Sequence, residues 1–315
     1  MADKAFKSYR EQVKILRGRG VDIPVGTATS TRAVNILKKE NYYDVVNGYK
    51  DVFLATSSPD TYLPGTKLDD LYAVFEFDRA VRLIYLKNIL KIEHQVKSVV
   101  AYEFSKKYGY DNYLKLENFD SSIDQREVYK TICTLQSALA DQIGKNDSIT
   151  HYISTYGYVP MWVLVNILTL GNISKFFELM KPADKNDVAR VFNIQPQNLL
   201  RYLKNLTIAR NKCAHDERFY DLTLRTAISS SGIRNFNLLS IPLASGSPIY
   251  GIKDLFSIAI IFSQFLSKTD IKKFVKEMKK EFDVLKSKIS TSQSDQIINR
   301  MGFYTNWKKL ILLVN

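Results

Sequence analysis

Apolar side chains recur at intervals of three and four residues over most of this 315-residue chain. The longest such run begins at Leu68 and extends to about Lys107, where Tyr108 and Gly109 end it. This spacing places the apolar positions on one face of a helix. At 1.5 Å per residue, an unbroken helix of that length measures about 60 Å. The pattern predicts one long, continuous helix.

Shorter segments with the same periodicity lie on both sides of this helix. Two precede it, at Lys4–Arg19 and from an N-cap at Thr29–Thr31 to about Glu40. Seven follow it, at Ile123–Gln142, Val159–Leu170, Ile173–Met180, Lys185–Phe192, Gln197–His215, about Lys253–Leu266 and Ile271–Ile289. Apart from a short candidate hairpin around Arg234–Ile249, no convincing run of alternating strand residues occurs. The sequence therefore predicts an all-α fold.

The pattern divides the chain near residue 66. Residues 1–66 combine two short helices with an irregular stretch that ends at Pro64 and Gly65, which predicts a small N-terminal helical module. Residues 67–315 predict a larger helical domain. With 45% hydrophobic residues, the chain is long enough to build one large core or two modest ones.

Apolar runs are present, but none is long enough to cross a membrane. The stretches Met161–Leu170 and Leu255–Leu266 are short of the roughly 20 residues a span needs, so they predict buried core helices. The N-terminus has no apolar signal-peptide region, and Cys133 and Cys213 form no CxxC pair. We therefore expect a cytoplasmic protein without a disulfide framework or contact with a membrane.

Histidines are too sparse to suggest a metal site. His94, His151 and His215 are widely separated, and no cysteine cluster accompanies them. The sequence predicts no metal ion and no other cofactor.

The net charge says more about the function of the chain than its cysteine or histidine content does. The formal net charge is +13, and the chain contains 19 tyrosines and 17 phenylalanines. A strongly basic protein attracts polyanions, and exposed aromatic rings can stack on unpaired bases. Because most aromatic side chains are buried in proteins, Trp162 and Trp307 are expected in the core. The charge favours RNA as the partner.

One segment combines side chains that could act on RNA. Near the end of the predicted helix Gln197–His215, Asn211 and His215 stand four residues apart and share a helix face. Arg210 lies about 140° around an ideal helix from His215. Its side chain must therefore curl back, or the helix must bend, if both are to reach one phosphate.

These residue types suit RNA cleavage. A histidine can take a proton from a ribose 2′-hydroxyl or give one to the leaving 5′-oxygen. An arginine can bind the phosphate through two hydrogen bonds, and Asn211 can orient the imidazole or the substrate. By itself, however, Arg-x4-His occurs often in basic proteins, and the spacing alone favours a solvated or structural histidine.

A family resemblance adds weight to the catalytic interpretation. RNKCAH at Arg210–His215, followed by Arg218-Phe219-Tyr220, resembles the RN-x-x-x-H motif of HEPN-type ribonucleases in the version carried by Abi-like proteins. Further segments resemble the same family in the same order and together cover nearly the whole chain: Glu11-Gln12 to Ile23, Ala33 to Tyr49, Phe77-Asp78-Arg79 to Ser98, Trp162 to Ser174, and Met301-Gly302-Phe303-Tyr304 to Trp307. Tyr304 departs from the pattern, because a proline is more usual there.

The resemblance implies a HEPN helical core within residues 67–315 and a role in defence against phage. It also implies a toxin that cleaves RNA without a metal ion, with Arg210, Asn211 and His215 as catalytic residues. HEPN enzymes bring two motifs together across a two-fold interface. Because this chain has one good copy, a homodimer is expected. Some Abi-like proteins pair with a structured non-coding RNA, which suggests control by such an RNA.

Other candidate residues surround the motif in the sequence. Glu93 is a candidate supporting residue, because HEPN domains often place a polar residue near the motif; the alternative is an ordinary carboxylate on a helix surface. Lys212, Arg218, Arg17 and Arg19 are candidate RNA-binding residues. Cys213 has no partner histidine on its own face, so a buried thiol is expected.

Two alternative functions remain open at this point. The first is a non-catalytic protein that holds a dedicated structured small RNA, with Arg210 and His215 serving recognition. The second is a DNA-binding repressor in which Lys4–Arg19 and Thr31–Lys39 imitate a helix-turn-helix. The loop between these two helices is long for that motif.

Overall fold

The computed structural model describes residues 5–314 and is mainly helical. The α-helices of this part are α1 (Tyr9–Gly18), α2 (Ala28–Lys39), α3 (Leu68–Tyr108), α4 (Gln125–Gln142), α5 (Asp147–Tyr156), α6 (Met161–Leu164), α7 (Leu170–Leu179), α8 (Pro182–Val191), α9 (Pro196–Ala214), α10 (Leu255–Phe265), α11 (Lys268–Lys288) and α12 (Thr291–Arg300). The all-α prediction is confirmed.

Two small antiparallel hairpins accompany the helices. In the first, β1 (Leu54–Ser57) pairs with β2 (Asp60–Tyr62), and in the second β3 (Leu243–Ala244) pairs with β4 (Ser247–Pro248). Short 3₁₀ or π-helical segments lie between the larger elements, at Tyr43–Asn47, Asp51–Phe53, Asn112–Leu114, Leu116–Asn118, Ser230–Gly232 and Phe236–Leu239, and a longer 3₁₀ helix follows α12 at Trp307–Leu313.

The long helix α3 is the central element of the fold. Acidic Asp69 and Asp70 in its first turn complement the helix dipole, and Gly109, at φ +86°, ends it. Buried positions on several sides of α3 let it pack against α9, α11, α7, α8, α10 and α6. The predicted long helix and its end at Tyr108-Gly109 are confirmed.

The helix α9 brings the motif segment to α3. Pro196 occupies its first position, where the absent N–H costs nothing. The helix packs against α3, α7, α8 and α10, and its buried residues are Leu199, Tyr202, Leu203, Asn205, Leu206, Ala209 and Cys213. The helix ends with His215 as C-cap, followed by Asp216 at φ +56°. The end of α9 therefore lies where the chain leaves the helix and turns.

Several predicted elements differ from the structure. The predicted helix Val159–Leu170 consists of the single turn α6 followed by turns, and α7 begins at Leu170 because Thr169 and Asn172 cap it reciprocally. Trp162 is half exposed and is not a core residue, whereas Trp307 is buried. The first helix begins at Tyr9, because Ser8 and Glu11 form a capping box; the predicted start at Lys4 lies outside the described residues.

Buried side chains form one continuous apolar core through the described residues. Val13, Leu16 and Phe53 of the N-terminal segment belong to it, together with the buried face of α3. The boundary suggested near residue 66 falls between β2 and α3, and residues 1–4 and 315 lie outside the described part. The division into two units stays a prediction.

No helix between residues 5 and 314 is both long enough and apolar enough to span a membrane. Within the same residues, no group of three or more His, Cys, Asp and Glu side chains is placed to hold a metal ion.

Candidate functional site

The last turns of α9 carry the three motif residues. Arg210 is partly buried, Asn211 is exposed, and His215 is exposed at the C-cap. The backbone N–H of His215 donates to the carbonyl oxygen of Asn211 at 3.0 Å. None of these three side chains forms a hydrogen bond with another residue of the described part of the chain. The exposed side chains of Asn211 and His215 are therefore available to a ligand, whereas Arg210 is only partly exposed.

Glu93 of α3 lies behind Arg210. It is only 5% exposed, and its Oε2 is 3.8 Å from Nε of Arg210. That distance is too long for a hydrogen bond, and both atoms are buried without a hydrogen-bond partner among the described residues. The other oxygen, Oε1, is 2.7 Å from Nζ of Lys97. Glu93 therefore places a buried negative charge between two cations, and it is not the surface carboxylate of the alternative interpretation.

A buried carboxylate on α3 holds the segment that follows the motif. Asp78 is fully buried and accepts hydrogen bonds from the backbone N–H groups of Phe219 (3.0 Å) and Tyr220 (2.6 Å). It also accepts from the Tyr49 hydroxyl and from Arg82, each at 2.7 Å. Four donors thus converge on a single side chain. We call Asp78 and Arg82, with their contacts to residues 216–220, the latch.

Arg82 extends the latch toward His215. Its Nη1 donates to the carbonyl oxygen of Glu217 at 2.9 Å, and its Nη2 pairs with the carboxylate of Asp216. Arg79 adds a longer contact to Asp216, at 3.7 Å. The residue after His215 is therefore fastened to α3, which fixes the direction in which the chain leaves α9.

Burial also sets the ionisation of groups near the motif. Loss of solvent raises the pKa of the Asp78 carboxyl to about 6, while Arg82, Tyr49 and the two backbone N–H groups act against this rise. Asp78 is thus ionised at neutral pH and pairs with Arg82. Burial likewise raises the pKa of the Cys213 thiol to about 12, so Cys213 is the buried, unreactive thiol that the sequence predicts.

Two candidate RNA-binding residues, Lys212 and Arg218, lie within three residues of His215, and both form ion pairs with other residues of the protein. Lys212 forms an ion pair with Glu217 at 2.9 Å. Arg218 donates to the carbonyl oxygen of Gly48 at 2.8 Å and pairs with Asp51 at 3.1 Å. Arg218 thus joins the segment after the motif to the N-terminal part of the chain.

The other two candidates lie at the end of α1. Nε of Arg17 donates to the carbonyl oxygen of Ile23 at 2.6 Å, and Arg19 pairs with Asp60 of β2 at 3.2 Å. These contacts hold the loop after α1 and the first hairpin. A role of Arg17, Arg19, Lys212 and Arg218 in RNA binding stays a prediction.

Sequence reasoning assigned no role to the latch. Asp78 and Arg82 stand four residues apart, a spacing that allows an ion pair on a helix. Both residues also stand among the apolar positions of α3, which indicates an ion pair, since buried charged side chains are usually paired. The partners at residues 216–220 depend on tertiary structure and have no local signal in the sequence.

The fold and the site together define an all-helical protein that presents arginine, asparagine and histidine at one helix end, braced by buried carboxylates of a long helix. The family model described as Abi-like protein matches residues 35–221, from within α2 to just beyond the latch. The match covers more than half of the chain, which belongs to the Abi-like protein family. No curated protein and no solved structure matches the chain.

Membership of this family suggests a role in abortive-infection defence against phage. The matched range contains α3, Glu93 and the whole of Arg210–His215. The N-terminal segment from Glu11 and the tail from Met301, which also resemble the family, lie outside it.

Proposed function

We propose that this protein is a metal-independent endoribonuclease of the HEPN type that acts in abortive infection. The observation that carries the proposal is the end of α9, which carries Arg210, Asn211 and His215 without hydrogen bonds from their side chains to other described residues. Glu93 stands behind Arg210 as a buried counter-charge. The α3–α9 pair forms the centre of the HEPN-like helical core in this proposal.

The proposed reaction uses the ribose of the substrate as nucleophile. The 2′-oxygen attacks the adjacent phosphorus as its proton is removed, the bond from phosphorus to the 5′-oxygen breaks, and a proton is delivered to that oxygen. His215 transfers a proton in one of these steps. Arg210 binds the phosphate and stabilises the negative charge that grows on it, and Asn211 orients the phosphate or the imidazole.

Assembly of two chains is part of this proposal. Each chain carries one Arg-Asn-x-x-x-His segment, and the HEPN resemblance places two such segments across a two-fold axis. A homodimer brings two Arg210–His215 pairs to one substrate. A structured non-coding RNA that occupies the same site would restrain the enzyme until infection.

Cleavage assays on His215→Ala and Arg210→Ala test the proposal. Loss of general acid–base catalysis should lower the cleavage rate by a factor on the order of 10² to 10⁴. Arg210→Ala should also weaken RNA binding, because a charged phosphate contact is lost. His151→Ala is the matched control, because His151 is an exposed histidine on another helix, α5. Cleavage should persist in EDTA and leave a 2′,3′-cyclic phosphate.

Two results would contradict the enzyme. If His215→Ala cleaves RNA at the rate of the unaltered protein, His215 is not a catalytic residue. If no variant cleaves RNA but all bind one structured RNA tightly, the protein is a non-catalytic RNA-binding protein.

A further inference from the structure

A groove lies between α3 and α6, with a volume of about 510 Å³. That volume lies within the range of pockets that bind small ligands, about 300 to 1,000 Å³. The helix α3 contributes His94, Lys97, Tyr102 and Lys106 to its wall, and α6 contributes Trp162. The groove is large enough to receive a nucleobase with its sugar.

Two aromatic side chains of the groove are held at the surface. Trp162 is 50% exposed and Tyr102 is 65% exposed, although burial of an aromatic ring stabilises a fold strongly. Trp162 stands on the single turn α6, where the Asn166 side chain donates to its carbonyl oxygen at 3.2 Å. Exposed aromatic faces of this kind are platforms on which unpaired bases stack.

The basic side chains of the groove favour an anionic ligand. Lys97 and Lys106 line it, and no aspartate or glutamate does so within the part of the chain that the structure describes. Each lysine has one carboxylate partner outside the lining, Glu93 at 2.7 Å from Lys97 and Glu103 at 3.8 Å from Lys106. Nζ of Lys106 lies 6.0 Å from the centre of the Tyr102 ring. A cation next to an aromatic face suits a base with its phosphate better than it suits an apolar peptide.

One carboxylate connects the groove to the motif. Glu93 pairs with Lys97 of the groove at 2.7 Å and lies 3.8 Å from Arg210. The carboxylate of Glu93 thus lies between Arg210 of the motif and Lys97 of the groove. We expect an RNA strand bound at Arg210 to continue toward the Lys97 end of the groove.

We propose that the groove between α3 and α6 binds an unpaired nucleotide of single-stranded RNA by stacking it on Trp162 and Tyr102. This inference rests on the proposed ribonuclease and specifies its substrate, because a base within a duplex is paired and cannot enter the groove. The specificity is for unpaired RNA and not for a particular base, since every base has a face that stacks.

Intrinsic fluorescence tests the proposal, because the chain contains only Trp162 and Trp307, and Trp307 is buried. The probe is a 12-nucleotide oligoadenylate, added to protein that carries His215→Ala so that the strand stays intact. The variant Trp162→Phe identifies the part of the emission that comes from Trp162. We expect the single strand to quench this part and a duplex of equal length to leave it unchanged. Trp162→Ala and Lys106→Ala should each weaken single-strand binding by about 10-fold.

Tyr129→Ala is the matched control, because Tyr129 is a similarly exposed aromatic residue on α4. Equal affinities of Trp162→Ala, Lys106→Ala and this control for the oligonucleotide would overturn the proposal. So would a change of Trp162 emission with protein concentration alone, since a second copy of the chain would then cover the groove.

Cleavage measured in parallel separates the two proposals. Cleavage without a Trp162 response rejects the groove and keeps the ribonuclease. A Trp162 response to the single strand in a protein that cleaves nothing supports the groove as an RNA-binding site and rejects the ribonuclease.

Discussion

Asp78 shows how much one residue contributes to the candidate site. Its carboxylate is the acceptor for four donors, two of which are backbone N–H groups of the segment that follows His215. A buried donor that loses its acceptor keeps the full cost of its desolvation. Asp78 therefore stabilises the fold and the path of the chain beyond the motif at once.

We predict that Asp78→Ala lowers the free energy of unfolding by about 3 to 5 kcal/mol, because Arg82 and three neutral donors lose their shared acceptor. Asp78→Asn keeps one carbonyl oxygen and should lose less. Urea unfolding followed by circular dichroism measures both changes.

The control for Asp78 is Glu76→Gln on the same helix. Glu76 forms a half-exposed ion pair with Lys288 at 3.3 Å, so its loss should cost less than about 1 kcal/mol. Equal losses for Asp78→Ala and Glu76→Gln would show that the latch adds no stability.

Part of the candidate site could be predicted from the sequence. Arg210, Asn211 and His215 were found through a family resemblance, and their position near the end of one helix follows from the predicted helix Gln197–His215. The latch and the exposure of Trp162 were not predicted. Both depend on which elements meet in space: residues 216–220 meet α3, and α6 is too short to bury a large ring.

Among the elements, α3 carries most of the features of the candidate site. The latch, Glu93 and the groove follow one another along it. Its exposed side also presents Leu83 and Leu90, which are 64% and 47% exposed and stand seven residues apart, two helical turns on one face. Leu90 precedes Glu93 by three residues and therefore neighbours it on the helix surface. This position suits the proposed two-fold interface.

We predict that Leu90→Lys shifts the protein from dimer to monomer, because a lysine at an apolar interface must lose its hydration. Light scattering coupled to size exclusion measures the mass, and RNA cleavage should fall with the loss of the dimer. The control is Leu312→Lys, since Leu312 is about as exposed as Leu90 but lies far from it in the sequence, after α12. If the unaltered protein is a monomer both with and without RNA, the proposal that two chains bring their Arg210–His215 pairs to one substrate is contradicted.

The periodicity of apolar residues located α3, α4 and α8–α11 to within a few residues. It missed α5, whose only buried residue is Ile149, because a helix with so little apolar surface has hardly any periodic signal. It also missed α12. There Ser290 caps the helix, but the serines near residue 290 do not distinguish a helix start from a loop, since serine is frequent both at N-caps and in loops.

The charge is a property of the whole molecule. The chain has 45 lysines and arginines against 32 aspartates and glutamates. Binding of such a protein to RNA releases counterions for every phosphate that it neutralises, so affinity falls as salt rises.

We predict that RNA copurifies at low salt, and that the logarithm of the affinity for single-stranded RNA falls linearly with the logarithm of salt concentration. The slope should be about −0.7 for each phosphate contacted. Arg210→Ala should reduce the slope by about one contact. Filter binding across a salt series measures it, with a morpholino strand as uncharged control. Protein free of nucleic acid after a low-salt preparation would contradict the prediction.

The latch also determines when the motif can form as the chain folds. The partners that Arg82 and Asp78 bind at residues 216–220 lie between 134 and 142 residues further along the sequence. Contacts of such high sequence separation form only after a large loss of chain entropy. A growing polypeptide that has not yet reached Asp216 can contain all of α3 and still lack the fixed end of α9. The arrangement therefore ties the proposed cleavage of RNA to synthesis and folding of the chain at least as far as Tyr220.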